Sequence, residues 1–416
     1  MAIQEPRILL IGTGDTKSDE MIFMSECIRE AGGTAVMMDV SVLGEPNFAP
    51  DVSKHDVAAA AGTTIAGVIA SGDENSAMAL MAAGSARLAR GLYDEGRIDG
   101  ALILGGTMGT DLALDVAAAL PLGVPKFVVS TISYSHLIPP ERISTDLMMI
   151  LWAGGLYGLN GICRSVLSQA SGAVVGAART GTRPQTSRPL VGMTSLGKSC
   201  LSYMVALKPA LEERGYEVAV FHTTGMGGRA FESVAAERGF AAVMDFCLQE
   251  IVNHENGVLA TSSGRDRLEN AARMGIPQIV APGAVDMVDL PSWAPLPERF
   301  ADRPYHAHNR LLGSVTTNVE GRRRTAASIA RKLEGASAPV AFILPVGGIQ
   351  QWDQEGEPLH DPEGLSAFLE AMKSEIRPPV QLHEIADHIN SPAFAAKALR
   401  IFDDWVAEGI IPAGVK

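Results

Sequence analysis

Short apolar runs alternate with longer amphipathic stretches along almost the whole chain, and this alternation limits the fold more than any single motif. In the first half the apolar runs cover residues 7–11, 35–38, 101–104 and 126–129. A helical pattern at residues 18–31 follows the first run, and a long Ala-rich segment that extends to Tyr93 follows the second. Strands that alternate with helices are typical of βα units in a mostly parallel sheet. The sequence therefore predicts an α/β fold with helices flanking parallel sheets.

A second series of the same kind occupies the second half of the chain. Its predicted strands cover residues 190–193, 218–221, 242–245, 278–281, 340–344 and 380–383. Its predicted helices cover residues 201–214, 230–238, 265–274, 322–333 and 393–405. The Pro-rich residues 290–304 are predicted to form a long irregular loop, whereas an Ala/Met/Gly-rich region at residues 146–179, predicted to be helical, closes the first half. Such loops in compact domains are often functional.

A polar segment at residues 180–189, which contains two prolines, separates the two series. Clusters of polar residues and proline between periodic segments indicate a linker. A chain of 416 residues is also longer than one hydrophobic core usually serves. We therefore predict two domains, at residues 1–182 and 183–416.

The charge and composition exclude several classes of protein. A net charge of −13 argues against non-specific binding to nucleic acid or to an anionic membrane. The basic run at residues 322–324 is predicted to lie on a solvated helix face. There is no apolar run of about 20 residues to span a membrane, and the start of the sequence lacks a signal-peptide pattern. We expect a cytoplasmic protein. The four cysteines have no CxxC spacing, so no metal site is predicted.

The first candidate binding loop follows the strand at residues 7–11. A glycine-rich loop at the start of a helix lets the backbone approach a ligand, and the N–H groups there favour an anion. Hydroxyl and ammonium groups add further donors. The alternative is an ordinary strand-to-helix turn in which Ser18 caps the helix. The candidate ligand-binding residues of this loop are Gly12, Thr13, Asp15, Thr16 and Lys17.

Two further loops strengthen this prediction. In a parallel sheet the loops after successive strands emerge at the carboxyl edge, where open α/β folds bind ligands. Three loops rich in Gly, Thr and Ser at one edge would enclose a polyphosphate without a basic patch. The candidate residues of the second loop are Gly105, Gly106, Thr107, Gly109 and Thr110, and those of the third are Ser130 and Thr131.

Residues 192–199 fit the P-loop pattern G-x4-G-K-[ST] between a predicted strand and a predicted helix. Asp245, at the end of a hydrophobic strand, would be the matching Walker-B residue that holds Mg²⁺. The alternative is a Gly-rich turn that carries Lys198 by coincidence. The residues alone leave both interpretations open.

Several segments together resemble the family of ATP-binding proteins related to the plant tobamovirus-resistance protein. The resemblance extends in order over nearly the whole chain. It departs from the family pattern where Thr223-Thr224 replaces Ala-Thr and where Asp289-Leu290 replaces Asn-Phe. The matching segments are residues 12–17, 104–110, 124–131, 220–230, 282–289, 308–309 and 361–363.

The resemblance implies two Rossmann-like subdomains, each a mostly parallel sheet flanked by helices. It also implies a homodimer or higher homo-oligomer, and ATP, with or without Mg²⁺, bound by the three loops of the first subdomain. The family segment that aligns with residues 192–199 lacks the P-loop lysine, which disfavours a Walker site there.

Polar residues at predicted strand ends mark a second candidate site, in the second half. If these strand ends converge, a histidine would act as acid or base and a carboxylate would orient it. The alternatives are hydrogen-bonded scaffolding, or a metal bound by His306 and His308 with one of the carboxylates. The candidate catalytic residues are His222, Glu250, Asp286 and His308.

The function that we expect combines both sites. The chain would be an ATP-binding enzyme that acts on a small acidic or carbonyl-containing metabolite in a cleft between its halves, with neither nucleic acid nor a membrane as partner. One alternative is a nucleotide-dependent binding or regulatory module without turnover. The other is P-loop phosphotransfer centred on Lys198.

Overall fold

The computed structural model describes residues 5–152, 154–156, 158–182 and 187–415. The chain divides into two compact units, Met1–Pro184 and Gln185–Lys416, called here the first and the second unit. The predicted linker at residues 180–189 includes residues 183–186, which lie outside the described residues.

The first unit consists of strands and helices in alternation, with a short 3-10 helix at Pro140–Arg142. Its strands are β1 (Arg7–Gly12), β2 (Thr34–Asp39), β3 (Gly100–Gly105), β4 (Lys126–Ser130) and β5 (Leu147–Leu151). Its helices are α1 (Gly14–Glu30), α2 (Lys54–Ala60), α3 (Ile65–Ile69), α4 (Glu74–Asp94), α5 (Thr107–Ala119) and α6 (Gly161–Thr180).

The five strands of the first unit form one parallel sheet in the order β2-β1-β3-β4-β5. Successive side chains of a strand point to opposite faces of the sheet. Accordingly, Leu9 and Ile11 of β1 belong to one hydrophobic core, and Ile8 and Leu10 belong to the core on the other face. The sheet is therefore buried on both sides, as parallel sheets in α/β proteins are.

One prediction for the first unit is wrong. Residues 146–179 were predicted to be helical throughout, but Leu147–Leu151 form β5, which pairs in parallel with β4. Helix α6 begins only at Gly161, because the Asn160 side chain accepts hydrogen bonds from the N–H groups of Ile162 and Cys163. A short apolar run does not distinguish a strand from a helix by its period.

The second unit continues the same alternation. Its strands are β6 (Leu190–Ser195), β7 (Glu217–His222), β8 (Ala242–Cys247), β9 (Gln278–Gly283), β10 (Met287–Pro291), β11 (Tyr305–Ala307), β12 (Leu312–Thr316), β13 (Val340–Pro345) and β14 (Gln381–Ile385). Its helices are α7 (Ser202–Glu213), α8 (Met226–Ala236), α9 (Gln249–Glu255), α10 (Asn270–Arg273), α11 (Val319–Glu334), α12 (Pro362–Glu375) and α13 (Pro392–Ala407). Short 3-10 helices lie at Leu259–Thr261, Glu298–Phe300 and Gln351–Asp353.

Six strands of the second unit form a parallel sheet in the order β14-β13-β9-β8-β6-β7. When the strands of each parallel sheet are counted along the chain, both sheets have the order second, first, third, fourth, fifth, and the sheet of the second unit continues with a sixth strand. This is a doubly wound order, and its topological switch points lie between β1 and β3 and between β6 and β8. The predicted fold class, two Rossmann-like units with mostly parallel sheets flanked by helices, is confirmed.

A small antiparallel sheet, β10-β12-β11, was not predicted. The Pro-rich segment predicted as an irregular loop connects β10 to β11, and the first two residues of that segment belong to β10. Helices α9 and α12 were also missed, and the helix predicted at residues 265–274 is only the short α10. Across the described residues, no helix combines the length and the apolar character needed to cross a membrane.

Candidate functional site

A cavity of about 710 Å³ lies at the carboxyl ends of β1 and β3, at the switch point of the first unit. This volume is within the range of small-molecule sites, and open α/β sheets bind their ligands at this position. The loops after β1 and β3 both contribute to it. The lining residues from these loops are Gly12, Thr13, Asp15, Thr16, Lys17, Gly105, Gly106, Thr107, Met108 and Gly109.

The start of α1 offers few free donors to this cavity. The N–H of Gly14 donates to Asp39 Oδ1 at 2.9 Å, and the N–H of Asp15 donates to Ser41 Oγ at 2.9 Å. The next two N–H groups donate to the Thr13 carbonyl. The expectation that the first candidate loop presents open N–H groups to an anion is therefore wrong, although its side chains do line the cavity.

The start of α5 is different. The N–H of Thr110 donates to the Gly106 carbonyl at 2.8 Å. By contrast, the N–H groups of Thr107, Met108 and Gly109 have no hydrogen-bond acceptor among the residues that the structure describes. All three of these residues line the cavity. A helix start with open N–H groups is a binding site for anions, because its partial positive charge adds to its hydrogen-bonding capacity.

Three of the predicted ligand-binding residues lie elsewhere. Thr110 and Ser130 are buried, and their hydroxyl oxygens are 2.6 Å apart, so that they join α5 to the end of β4. The Ser130 hydroxyl also accepts the N–H of Ile132. Neither Thr110, Ser130 nor Thr131 lines the cavity. The predicted residues of the loop after β4 therefore lie outside the cavity lining.

The charges around the cavity are mostly negative. Lys17 is the one basic residue of its described lining, whereas Asp15, Asp73 and Glu74 contribute carboxylates. Hydrogen bonds from the Ser76 hydroxyl and N–H lower the pKa of Asp73. A polyphosphate at this cavity would therefore meet carboxylates as well as the α5 N–H groups, and a divalent cation would neutralise that repulsion.

In the second unit, only two of the four predicted catalytic residues share a cavity. His222, at the end of β7, and His308 both line a small cavity of about 40 Å³, called here the His222 cavity. Its mouth is open to solvent at both histidines and at Lys198. Neither Glu250 nor Asp286 belongs to its lining.

Glu250 is buried in an ion-pair network with the fully buried Arg267. Its Oε1 accepts the N–H groups of Gly225 and Gly228 at the start of α8, at 2.7 and 3.0 Å. Its Oε2 accepts the Arg267 Nε–H at 2.9 Å. Burial raises the pKa of Glu250 to about 6 against the opposing charge of Arg267. A carboxylate of the chain itself thus occupies the start of α8 and accepts N–H groups that an external anion would otherwise bind.

Asp286 belongs to a separate buried network. Its Oδ2 accepts a hydrogen bond from the Gln350 amide at 3.0 Å and lies 4.0 Å from Arg322 Nη1. Burial raises the pKa of Asp286 to about 6, and the Arg322 charge opposes the rise. The interpretation of residues 322–324 as a solvated face is wrong for Arg322, which is buried and also pairs with Asp361.

The His222 cavity has an acid that the sequence analysis did not select. Asp289, on β10, is 2% exposed and accepts the Ser314 hydroxyl at 2.6 Å. Burial raises the pKa of Asp289, and the Ser314 hydroxyl and the nearby Gln249 amide oppose that rise. The His222 Nδ1 accepts the Gly197 N–H at 3.4 Å. Partial burial and the charge of His308 both lower the pKa of His222. The departure from the family pattern at Asp289 was the available signal.

The P-loop-like segment does not have the geometry of a Walker loop. Helix α7 begins at Ser202, beyond the Gly-Lys-Ser triplet. The backbones of Leu196 and Cys200 pair with each other, which closes residues 197–199 into a tight turn. In a Walker loop the backbone wraps around phosphates directly before the helix. Lys198 and Ser199 nevertheless line the His222 cavity.

The proposed Walker-B residue is fully engaged within the protein. Asp245 accepts the Thr194 hydroxyl at 2.8 Å and two hydrogen bonds from the Arg267 guanidinium. Among the described residues, no group of three or more His, Cys, Asp or Glu side chains is arranged to hold a metal ion. These contacts do not support phosphotransfer centred on Lys198.

The fold and the two cavities define a doubly wound α/β protein with a candidate ligand site in each unit. The chain belongs to the uncharacterised protein family UPF0261, whose N-terminal domain matches residues 6–183 and whose C-terminal domain matches residues 188–406. A UPF0261 protein of Brucella suis is 64% identical over 98% of both chains. The predicted kinship with the plant resistance protein is confirmed.

The relationship to the plant resistance protein is more distant than the one to the Brucella protein, and it covers only part of the plant protein. The ToMV resistance protein Tm-1(GCR237) of Solanum lycopersicum is 30% identical over 94% of this chain, which spans 54% of the tomato protein. Among solved structures, a UDP-N-acetylglucosamine 2-epimerase is similar over 99% of this chain and 100% of its own, with 10% identity and a TM-score of 0.19. A similarity at this level carries no argument about function.

Proposed function

We propose that the first unit binds ATP together with Mg²⁺ in the cavity between β1 and β3. The observation that supports the proposal is the start of α5, where three successive N–H groups without acceptors among the described residues line this cavity. Phosphate groups are the common ligands of such helix starts in doubly wound folds. The phosphates would therefore lie against Thr107, Met108 and Gly109.

Apolar side chains of the cavity lining suit a nucleoside. Leu43, Ile69 and Met108 belong to this lining, and these large apolar side chains are 79%, 51% and 43% exposed. Burying apolar area gains about 25 cal/mol per Å², so a planar base laid on these side chains would be favourable. Both halves of a nucleotide thus have complementary surfaces in one cavity.

The proposal includes Mg²⁺ because of the carboxylates of Asp15, Asp73 and Glu74. They stand near a ligand that itself carries several negative charges, and Lys17 alone does not offset them. Mg²⁺ binds through one or two carboxylates plus substrate phosphates in many nucleotide sites. ATP binding should therefore weaken strongly when Mg²⁺ is removed with a chelator.

The α5 N–H groups can be tested by a substitution that removes one of them. Thr107 is the first residue of α5, where proline is tolerated because it fits the helix and its nitrogen needs no helical partner. Isothermal titration of the full chain with Mg·ATP should show that Thr107→Pro weakens binding about 10- to 100-fold, the value of a hydrogen bond to a charged group. Thr107→Ala, which removes only the hydroxyl, should bind much more tightly than Thr107→Pro.

A matched control is available on another helix of the same unit. Gly161 is the first residue of α6, is exposed, and has open space where a side chain would project. Gly161→Pro should leave ATP affinity unchanged. The proposal fails if the unaltered chain binds no Mg·ATP, or if Thr107→Pro binds as well as Gly161→Pro. Phosphate release in the same samples would separate an enzyme from a regulatory module without turnover.

A further inference from the structure

The Gly-Lys-Ser turn after β6 has features that the nucleotide proposal does not use. Closure by Leu196 and Cys200 leaves the N–H groups of Lys198 and Ser199 without an acceptor in the part of the chain that the structure describes. The Ser199 carbonyl is fixed by the Gln351 N–H at 3.0 Å and by the Asn390 amide at 2.7 Å. A rigid turn with adjacent open N–H groups is an anion-binding nest.

Two side chains of the turn add to this nest. The Lys198 ammonium is exposed at the mouth of the His222 cavity and has no ion-pair partner within the described residues. The Ser199 side chain is buried against the same cavity, and its hydroxyl also lacks a hydrogen-bond partner in the described chain. A positive charge, a hydroxyl and two N–H groups suit an oxyanion.

An independent observation concerns the floor of the cavity. Asp289 lies there, 2% exposed, and its Oδ2 has no hydrogen-bond partner among the described residues, although Gln249 is close enough to affect its pKa. A buried polar atom without a partner costs free energy. A ligand hydroxyl or oxo group would provide the missing partner, with His222 beside it at the mouth.

The size of the cavity limits the anion. A volume of about 40 Å³ holds roughly three water-sized groups, since one water needs about 10–15 Å³. A planar carboxylate fits this space better than a tetrahedral phosphate, and the rest of the ligand would extend toward His308 and Trp352 at the rim.

We propose that the His222 cavity binds a small carboxylate that carries a hydroxyl or oxo group on the adjacent carbon. The Gly197–Ser199 turn and Lys198 hold the carboxylate, and Asp289 and His222 contact the neighbouring oxygen. This site lies within the second unit and does not depend on the nucleotide proposal, so its test needs no ATP.

The test uses the full chain labelled with ¹³C at histidine Cε1, and observes the nine histidine signals by NMR. The His222 signal is assigned with His222→Gln. Pyruvate and lactate, added separately, should shift the His222 signal saturably, with a dissociation constant on the order of 1 mM for at least one of them. Acetate, which lacks the second oxygen, should bind more weakly.

Two variants locate the anion. Lys198→Met should weaken binding about tenfold or more, because a hydrogen bond to a charged group is lost. Lys208→Met is the matched control: Lys208 is a half-buried lysine on α7 that pairs with Glu212, and its loss should not change binding.

Three results would overturn the proposal. Absence of saturable shifts with pyruvate and lactate would show that the cavity takes no such ligand. Equal binding by native chain and Lys198→Met would place any bound carboxylate elsewhere. Inorganic phosphate that binds more tightly than both probes and displaces them would show that the nest is built for phosphate instead.

Discussion

Arg267 offers the sharpest test of why the second unit folds as it does. Its side chain is 1% exposed, on the segment between α9 and α10, and is surrounded by three buried carboxylates. It donates to Asp245 at 2.7 Å and to Glu250 at 2.9 Å, and it pairs with Glu232 at 3.3 Å. Its Nη2 also donates to the Cys247 carbonyl at 3.0 Å. One cation therefore balances three acids from three different elements.

The perturbation is Arg267→Met, which keeps most of the volume and removes the charge. Loss of one partner of a buried ion pair typically costs about 3–5 kcal/mol, because the remaining charge stays buried without compensation. Here the remaining partners are three carboxylates. A domain of this size has only about 5–15 kcal/mol of stability in total. We expect the second unit to lose about 4 kcal/mol or more of its free energy of unfolding near pH 8.

The loss should depend on pH in a defined direction. Burial already raises the pKa of Glu232 to about 7 and that of Glu250 to about 6. Without Arg267 these pKa values should rise further above their unfolded values. The folded variant then binds more protons than the unfolded chain, so its stability increases as the pH falls. The difference between native chain and variant should therefore be smaller near pH 5.5 than near pH 8.

The loss of stability can be measured by urea unfolding, with tryptophan fluorescence as the signal. Three of the four tryptophans lie in the second unit, at Trp293, Trp352 and Trp405. The matched control is Arg214→Met. Arg214 pairs with Asp403, but both side chains are about 40% exposed, and such pairs contribute about 0–1 kcal/mol. If Arg267→Met and Arg214→Met lowered the stability equally, or if the loss were independent of pH, the reasoning from burial would be wrong.

Two further predictions concern Glu232 and Thr110. The pKa of Glu232, about 7 when folded, lies above its usual 4.5, so this residue lowers the free energy of unfolding as the pH rises from about 4.5 to about 7. Glu232→Gln should remove up to about 3 kcal/mol of that pH dependence in urea unfolding, and an unchanged slope would contradict the assignment. Thr110→Val removes the hydroxyl that meets Ser130 at 2.6 Å, and calorimetry should show about 1–3 kcal/mol less stability. Its Mg·ATP affinity should stay within about twofold, since Thr110 does not line the cavity, and a large loss of affinity would make it a ligand residue after all.

The fold could be predicted where the apolar runs were short and followed by a clear helix, because parallel strands buried on both faces have this pattern. All ten strands predicted from these runs are present, with ends shifted by one or two residues. The pattern failed for β5, because its Leu-Met-Met-Ile-Leu run was included in the helix that begins only at Gly161. It also failed for β10, β11 and β12, which are short and separated by turn-rich segments.

The candidate sites were predictable only to the level of the sheet edge. Both lie at the carboxyl edges of their sheets, as expected, but the contacts there depend on distant residues. Glu250 was predicted to be catalytic from its position after β8, whereas its partner Arg267 lies 17 residues further along the chain. Nothing in the local sequence of either residue specifies their pairing. Asp289 was overlooked because its strand, β10, was not predicted.

The comparison of α1, α5 and α8 explains why a glycine-rich turn alone does not identify a ligand site. All three helices begin beside glycines at the carboxyl edge of a parallel sheet. At α1, Asp39 and Ser41 accept the first N–H groups, and at α8 the carboxylate of Glu250 accepts two. An internal acceptor satisfies the same donors that a phosphate would, so it removes the reason for a ligand to bind. Of these three helices, only α5 has first N–H groups that lack such an acceptor in the described chain. The difference depends on residues distant in sequence. It is the reason why we expect a nucleotide to bind at α5.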